Sequence, residues 1–95
     1  MRYSGRWMTI VDDRILEYLD QHETGSPTEI HQEARIRYTP EYVAKRCREL
    51  TEYGLIRHLG NAVYIITEDG EKYLAGELDT GELDDEDTER EATAD

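Results

Sequence analysis

Basic side chains gather in one short segment of the chain, at a density that suits anion binding. Nearly half of the 11 basic residues lie between positions 35 and 50: Arg35, Arg37, Lys45, Arg46 and Arg48. Arginine can bind a phosphate or the edge of guanine through two parallel hydrogen bonds, and lysine can neutralise a phosphate. The segment is therefore a candidate polyanion-binding site, although the chain carries a formal net charge of -12.

Most of that negative charge belongs to the end of the chain. Residues 77–95 contain ten acids and one base, so residues 1–76 carry a net charge of only -3. The end segment repeats Gly-Glu-Leu-Asp and has few apolar side chains to bury, which predicts a disordered acidic tail. The chain is thereby divided into an arm (1–8), one small domain (9–76) and this tail (77–95).

The remaining composition narrows the class of protein. The 95 residues contain a single cysteine, Cys47, which excludes an internal disulfide framework. Neither a membrane-spanning run nor an apolar signal region is visible, so we expect a cytoplasmic protein.

Three helices are predicted, each behind a start signal. Thr9 is a candidate N-cap with an acid three residues later, and Ser-Pro at 26–27 and Thr-Pro at 39–40 are stronger signals. The apolar spacing that follows is helical. The predicted helices cover residues 10–21, 27–34 and 40–53.

The pattern then changes from helical to extended. LIRHL (55–59) and AVYII (62–66) are typical strands, and Gly60-Asn61 between them predicts a type II′ hairpin turn. A short last helix over 67–74 is weakened by Gly70. A third strand is possible around Gly25-Ser26. The fold class is α+β, mainly α: a winged helix-turn-helix of three helices, a β-hairpin wing and a short C-terminal helix.

The third helix has two faces on a helical wheel. Val43, Cys47 and Leu50 fall on one stripe, which predicts a core side, and Lys45 and Arg48 point the opposite way with two acids. A cationic face on the second helix of a helix-turn-helix is typical of a recognition helix, whereas the same face alone would be an ordinary solvated surface. The candidate DNA-binding residues are Arg35, Arg37, Tyr38, Thr39, Glu41, Tyr42, Lys45, Arg46, Arg48 and Asn61.

The sequence contains no pattern typical of a metal site or of a catalytic site. His22, His31 and His58 lie on separate elements without the spacing of a metal site, and no Gly-rich phosphate loop or nucleophile motif is present. We therefore predict neither an enzyme nor a cofactor, metal or small-molecule ligand. Glu41 leaves two interpretations open, since it could accept from a cytosine amino group or repel phosphate.

Three segments resemble a known family: RWMTIVDDRILEYL (6–19), YVAKRCRELTEYGLI (42–56) and LGNAVYIITEDGEKYLAGELD (59–79). They are similar to the small winged-helix regulators of haloarchaea, grouped with a halophilic phage repressor. The resemblance implies a cytoplasmic DNA-binding transcription regulator that works at high salt. The sequence departs from the family at Thr39-Pro40-Glu41, at Lys45-Arg46 and at Ala62, where a glycine is expected after Asn61. The target sequence therefore cannot be transferred.

Two functions remain as hypotheses. The first is a sequence-specific repressor or regulator that binds double-stranded DNA as a homodimer, because one module of this size contacts few bases. The second is a winged helix that binds another protein, with the tail or Trp7 as its docking surface. Binding to its own promoter DNA in molar KCl separates the two.

Overall fold

A computed structural model describes residues 2–33 and 37–83. In chain order the elements are α1 (Ile10–His22), α2 (Pro27–Glu33), α3 (Pro40–Glu52), β1 (Ile56–Gly60), β2 (Val63–Ile66) and α4 (Glu68–Leu74). One further helical turn covers residues 80–83. The predicted order of elements is confirmed, and each boundary within the described ranges lies within one residue of its prediction. The predicted end of α2 at Ala34 lies outside those ranges.

Side-chain caps explain why the helices begin where they do. Ser26 Oγ accepts from the backbone N–H of Glu29 (3.2 Å), and the Glu29 carboxylate accepts from Ser26 N–H (3.0 Å). Thr67 Oγ1 accepts from Gly70 N–H in the same way (3.2 Å). Such bonds satisfy backbone donors that have no partner inside the helix.

One hydrophobic core joins the helices to the hairpin. Ile15, Leu16 and Leu19 of α1 are fully buried, as are Ile30 of α2 and the predicted stripe of α3. Leu55, Ile56 and Tyr73 close the core from the other side. The helix-turn-helix, formed by α2 and α3, thereby packs against α1. This packing leaves the outer side of α3 in solvent.

A third extended segment pairs with the wing at Gly25, where the sequence allowed one. Gly25 N–H donates to Tyr64 O (3.1 Å), and Tyr64 N–H donates to Gly25 O (2.8 Å). A side chain at Gly25 would meet the ring of Tyr18 at 2.6 Å, so glycine permits this close approach. The bridge ties the segment before α2, at the start of the helix-turn-helix, to the second residue of β2 in the wing.

The hairpin turn lies one residue later than predicted. Asn61 and Ala62 are its central residues, with φ of 54° and 59°, as in a type I′ turn rather than type II′. Gly60 belongs to β1 and pairs with Val63, while the register between His58 and Gly60 is irregular. The irregularity uses Gly60 inside the strand and so shifts the turn.

Ala62 holds a left-handed conformation without the freedom of glycine, so we expect Ala62→Gly to stabilise the protein. A left-handed alanine costs about 1–2 kcal/mol, and the greater entropy of unfolded glycine offsets about half of that. The free energy of unfolding should rise by about 0.5–1 kcal/mol, measured by urea denaturation. The control is Ala44→Gly inside α3, which should lose about 1 kcal/mol. Equal losses from both substitutions would contradict strain at Ala62.

The packed part of the chain extends past residue 76, where the sequence analysis placed the start of the tail. Tyr3 and Asp79 form a parallel bridge, and Thr80 is fully buried. Thr80 Oγ1 accepts from Gly5 N–H (2.8 Å), and Thr80 O accepts from Trp7 Nε1–H (3.0 Å). A buried threonine in an acidic run gives no apolar signal, which is why the sequence pattern missed it. Residues 84–95 lie outside the described ranges.

Candidate nucleic-acid interface

The exposed beginning of α3 is set by Thr39 and Pro40. Thr39 Oγ1 accepts from the backbone N–H of Tyr42 (3.2 Å), and Pro40 occupies the first turn, where no N–H is needed. Tyr38 is 52% exposed, and its ring meets that of Tyr42 at 4.9 Å. Arg37 is also exposed, just before this cap. The structure therefore brings Arg37, Tyr38, Thr39 and Tyr42 together at one helix end.

The inner side of α3 is apolar, as its spacing predicts. Val43, Cys47 and Leu50 are fully buried. Burial raises the pKa of the Cys47 thiol to about 12, so this residue is neutral and unreactive at physiological pH. The prediction of Cys47 as a core residue is confirmed.

The outer side of α3 carries the predicted polar residues. Glu41, Lys45, Arg48 and Glu52 are all exposed. Arg48 lies close enough to the wing to oppose, by its charge, the burial that raises the pKa of Tyr64. The third helix and the wing strand are therefore neighbours at Arg48.

Arg46 is placed differently from the prediction. Its guanidinium lies inside, with a side-chain exposure of 11%, and forms an ion pair with the fully buried Asp12 of α1. The hydrogen bond to Asp12 raises the pKa of Arg46 above its ordinary value, against the effect of burial. Because its donors are directed to α1, we remove Arg46 from the proposed DNA-contacting set.

The wing adds one cation that the sequence analysis did not include. Arg57 on β1 is exposed, next to the buried Ile56, and Asn61 is exposed at the turn. Leu59 is also exposed, at 53%, because it lies in the irregular part of the strand. The alternation of Ile56 and Arg57 along a strand was the signal that could have identified Arg57. Arg35, the remaining predicted residue, lies outside the described ranges.

Ion pairing divides the cations of the described ranges into two groups. Arg2 and Arg14 both bind Glu17 (2.6 and 2.5 Å), Arg46 binds Asp12 (2.7 Å), and Lys72 lies 3.5 Å from Glu68. The others form no salt bridge with another described residue: Arg6, Arg37, Lys45, Arg48 and Arg57. Four of these five lie on α3, on its approach or on the wing, so the described carboxylates, including the exposed Glu41 and Glu52, leave these cations free to bind an anion.

The described ranges show neither a metal-binding site nor a membrane-spanning helix. Residues 2–33 and 37–83 contain no group of three His, Cys, Asp or Glu side chains that could hold a metal ion. No helix there is both long and apolar enough to cross a membrane.

A helix-turn-helix followed by a two-stranded wing, with a polar outer face on its second helix, defines a winged helix-turn-helix protein. Residues 1–86 match the family described as winged helix-turn-helix phage repressor, so the chain belongs to that family.

Two relatives agree with this membership. The chain is 31% identical over 86 residues to the "Repressor protein" of Halobacterium phage phiH, covering 82% of this chain and 91% of the relative. It is also similar to a solved structure, the PhiH1 repressor-like protein from Haloarcula marismortui. That similarity has a TM-score of 0.83 and 48% identity, covering 86% of this chain and 93% of that one.

Proposed function

We propose that the protein is a sequence-specific DNA-binding transcription regulator that acts as a repressor. In this proposal α3 enters the major groove and the hairpin lies against the DNA backbone. The observation that carries it is the division of the cations within residues 2–33 and 37–83, because four of the five without a salt bridge there lie on α3, its approach or the wing. The names of its relatives support the same function.

The proposed contacts follow from side-chain chemistry. Lys45 and Arg48, which are exposed one turn apart on α3, can reach base edges and phosphates. Arg37 and the Thr39 hydroxyl stand at the helix beginning, where backbone phosphates are bound in helix-turn-helix complexes. Arg57 and Asn61 would supply the wing contacts.

The acidic balance of the chain supports work in concentrated salt. At 1 M salt the Debye length is about 3 Å, so distant carboxylates hardly oppose a local positive surface. The same screening weakens the attraction of DNA, and close hydrogen bonds must then supply most of the affinity. Relatives from a Halobacterium phage and from Haloarcula agree with this setting. A DNA target also implies that the protein acts in the cytoplasm.

A homodimer is the proposed binding form. One α3 reads only a few base pairs, and two copies bound to half-sites about 34–36 Å apart would double the contacts. Sedimentation velocity tests this, with and without the operator, by which we mean the site that the protein binds in the DNA upstream of its own gene. A protein that remains monomeric on DNA would remove this part of the proposal.

The test of the DNA interface is binding to the protein's own upstream DNA across a KCl series into the molar range. We expect Lys45→Gln and Arg48→Gln each to weaken binding by about 1–2 kcal/mol. The salt slope, meaning the slope of the logarithm of the binding constant against the logarithm of the KCl concentration, should fall in magnitude by about one, the value for one lost phosphate contact. The matched control is Arg14→Gln, which removes the same charge from α1, where Glu17 already pairs it. That variant should bind like the wild type.

Two results would contradict the interface. If Lys45→Gln and Arg48→Gln bind with wild-type affinity and slope, α3 does not contact DNA. If the wild type binds no DNA at any salt concentration, the winged helix serves protein contact instead.

A further inference from the structure

Arg46 connects the middle of α3 to the beginning of α1. Its Nε–H donates to Asp12 Oδ1 (2.8 Å), and its Nη2 donates to Asp12 Oδ2 (2.7 Å) and to Trp7 O (2.9 Å). Asp12 Oδ2 also accepts from the backbone N–H of Thr9, the residue before α1 (2.9 Å). The two acceptors of Arg46 therefore belong to the arm, at Trp7, and to α1, at Asp12.

The form of this contact restricts rotation as well as distance. Two parallel bonds between a planar guanidinium and a carboxylate hold both planes in one orientation, which a lysine ammonium cannot do. Because successive helical residues are about 100° apart, fixing Arg46 also fixes the directions of Lys45 and Arg48. A roll of about 20° would move a side chain at the outer radius of a helix by about 2 Å. That movement exceeds the tolerance of a hydrogen bond to a base.

The arm reinforces the same orientation at the far end of α3. The Trp7 ring stacks on Tyr53, directly after α3, with centroids 3.8 Å apart and planes 12° from parallel. Trp7 therefore contacts α3 through its carbonyl at Arg46, and the residue directly after α3 through its ring at Tyr53. Its indole N–H is held in turn by Thr80 O (3.0 Å).

We propose that Arg46 is a positioning residue for DNA recognition: through Asp12 and Trp7 it sets the rotation of α3 without touching DNA. The recognition step rests on the proposed function, whereas the link between Arg46 and Trp7 does not. Operator affinity should thus depend on a cation that contributes no phosphate contact.

Arg46→Lys tests this, because it keeps the charge and removes the planar fork. We expect at least tenfold weaker operator binding with an unchanged salt slope, whereas Lys45→Gln lowers the slope. The second readout is acrylamide quenching of fluorescence from Trp7, the only tryptophan in the chain. Quenching should increase in Arg46→Lys and stay at the wild-type level in Lys45→Gln.

A double variant covers the case in which Arg46→Lys does not fold. Asp12→Leu with Arg46→Met removes both charges together, so no buried charge is left unpaired and the net charge is unchanged. It should fold and bind operator at least tenfold more weakly, again with the wild-type slope.

Several outcomes would overturn the proposal. Wild-type operator affinity in Arg46→Lys or in the double variant would do so, since rotation would then not depend on the pair. A reduced salt slope in both variants would show that Arg46 contacts phosphate directly. If the wild type binds no DNA, the proposed function fails, and quenching of Trp7 decides the positioning role alone: an unchanged value in Arg46→Lys refutes it.

Discussion

Asp12→Ala is expected to lower the free energy of unfolding by about 3–5 kcal/mol, the usual cost of leaving a buried charge unpaired. Asp12 is fully buried, and the side chain of its partner Arg46 is only 11% exposed. The substitution also removes the acceptor of Thr9 N–H at the start of α1. Since small domains have about 5–15 kcal/mol in total, the variant should be close to unfolding at room temperature.

Urea denaturation followed by Trp7 fluorescence measures this loss. Because the pair is shielded from solvent, the loss should persist in molar KCl, where exposed pairs are screened. The control is Asp20→Ala on the same helix, which removes an exposed carboxylate and should change stability by no more than about 0.5 kcal/mol. A loss below about 1 kcal/mol for Asp12→Ala would mean that Arg46 finds water or another partner.

Gly70→Ala should destabilise the protein by about 2–3 kcal/mol, although alanine is ordinarily the better helix former by about 1 kcal/mol. A Cβ at this position would overlap the carbonyl oxygen of Leu55 and approach Cγ1 of Ile66 to 2.6 Å. The Leu55 oxygen cannot withdraw freely, because it accepts from the backbone N–H of Thr67 (3.1 Å).

The matched comparison is Gly54→Ala, after α3. Gly54 has φ of +79° but nothing within 4 Å of an added Cβ, so this variant measures backbone strain alone, about 1 kcal/mol. Thermal and urea denaturation of the two variants separate overlap from strain. If Gly70→Ala is as stable as the wild type, α4 can shift away from the Leu55 carbonyl and the Ile66 side chain.

The fold could be predicted because its local signals agree with its packing. Thr39, Ser26 and Thr67 each cap a helix in the structure, and Pro40 and Pro27 are the first residues of α3 and α2, as expected from their chemistry. The apolar stripe of α3 also predicted which side of that helix faces the core, since Val43 and Leu50 are fully buried. These properties depend on residues that are close in sequence.

What could not be predicted depends on residues far apart. A helical wheel gives the direction in which Arg46 leaves α3, but not that its long side chain reaches Asp12, 34 positions earlier. Gly70 looked like a weak point of a helix, because the Leu55 carbonyl that requires it belongs to another segment. The turn was misplaced by one residue since Gly60 fits either a turn or an irregular strand. The DNA-contacting residues remain a prediction.

The pairing of the two chain ends affects how the protein can be shortened. Tyr3, Gly5 and Trp7 all bond to Thr80, through their backbone or indole groups. A cut between Gly76 and Thr80 would therefore remove these three contacts of the arm, whereas its contacts with Glu17, Arg46 and Tyr53 would remain. A shortened fragment that keeps these contacts has to retain residues 3–7 together with Thr80, and trimming either segment exposes the groups that the other one covers.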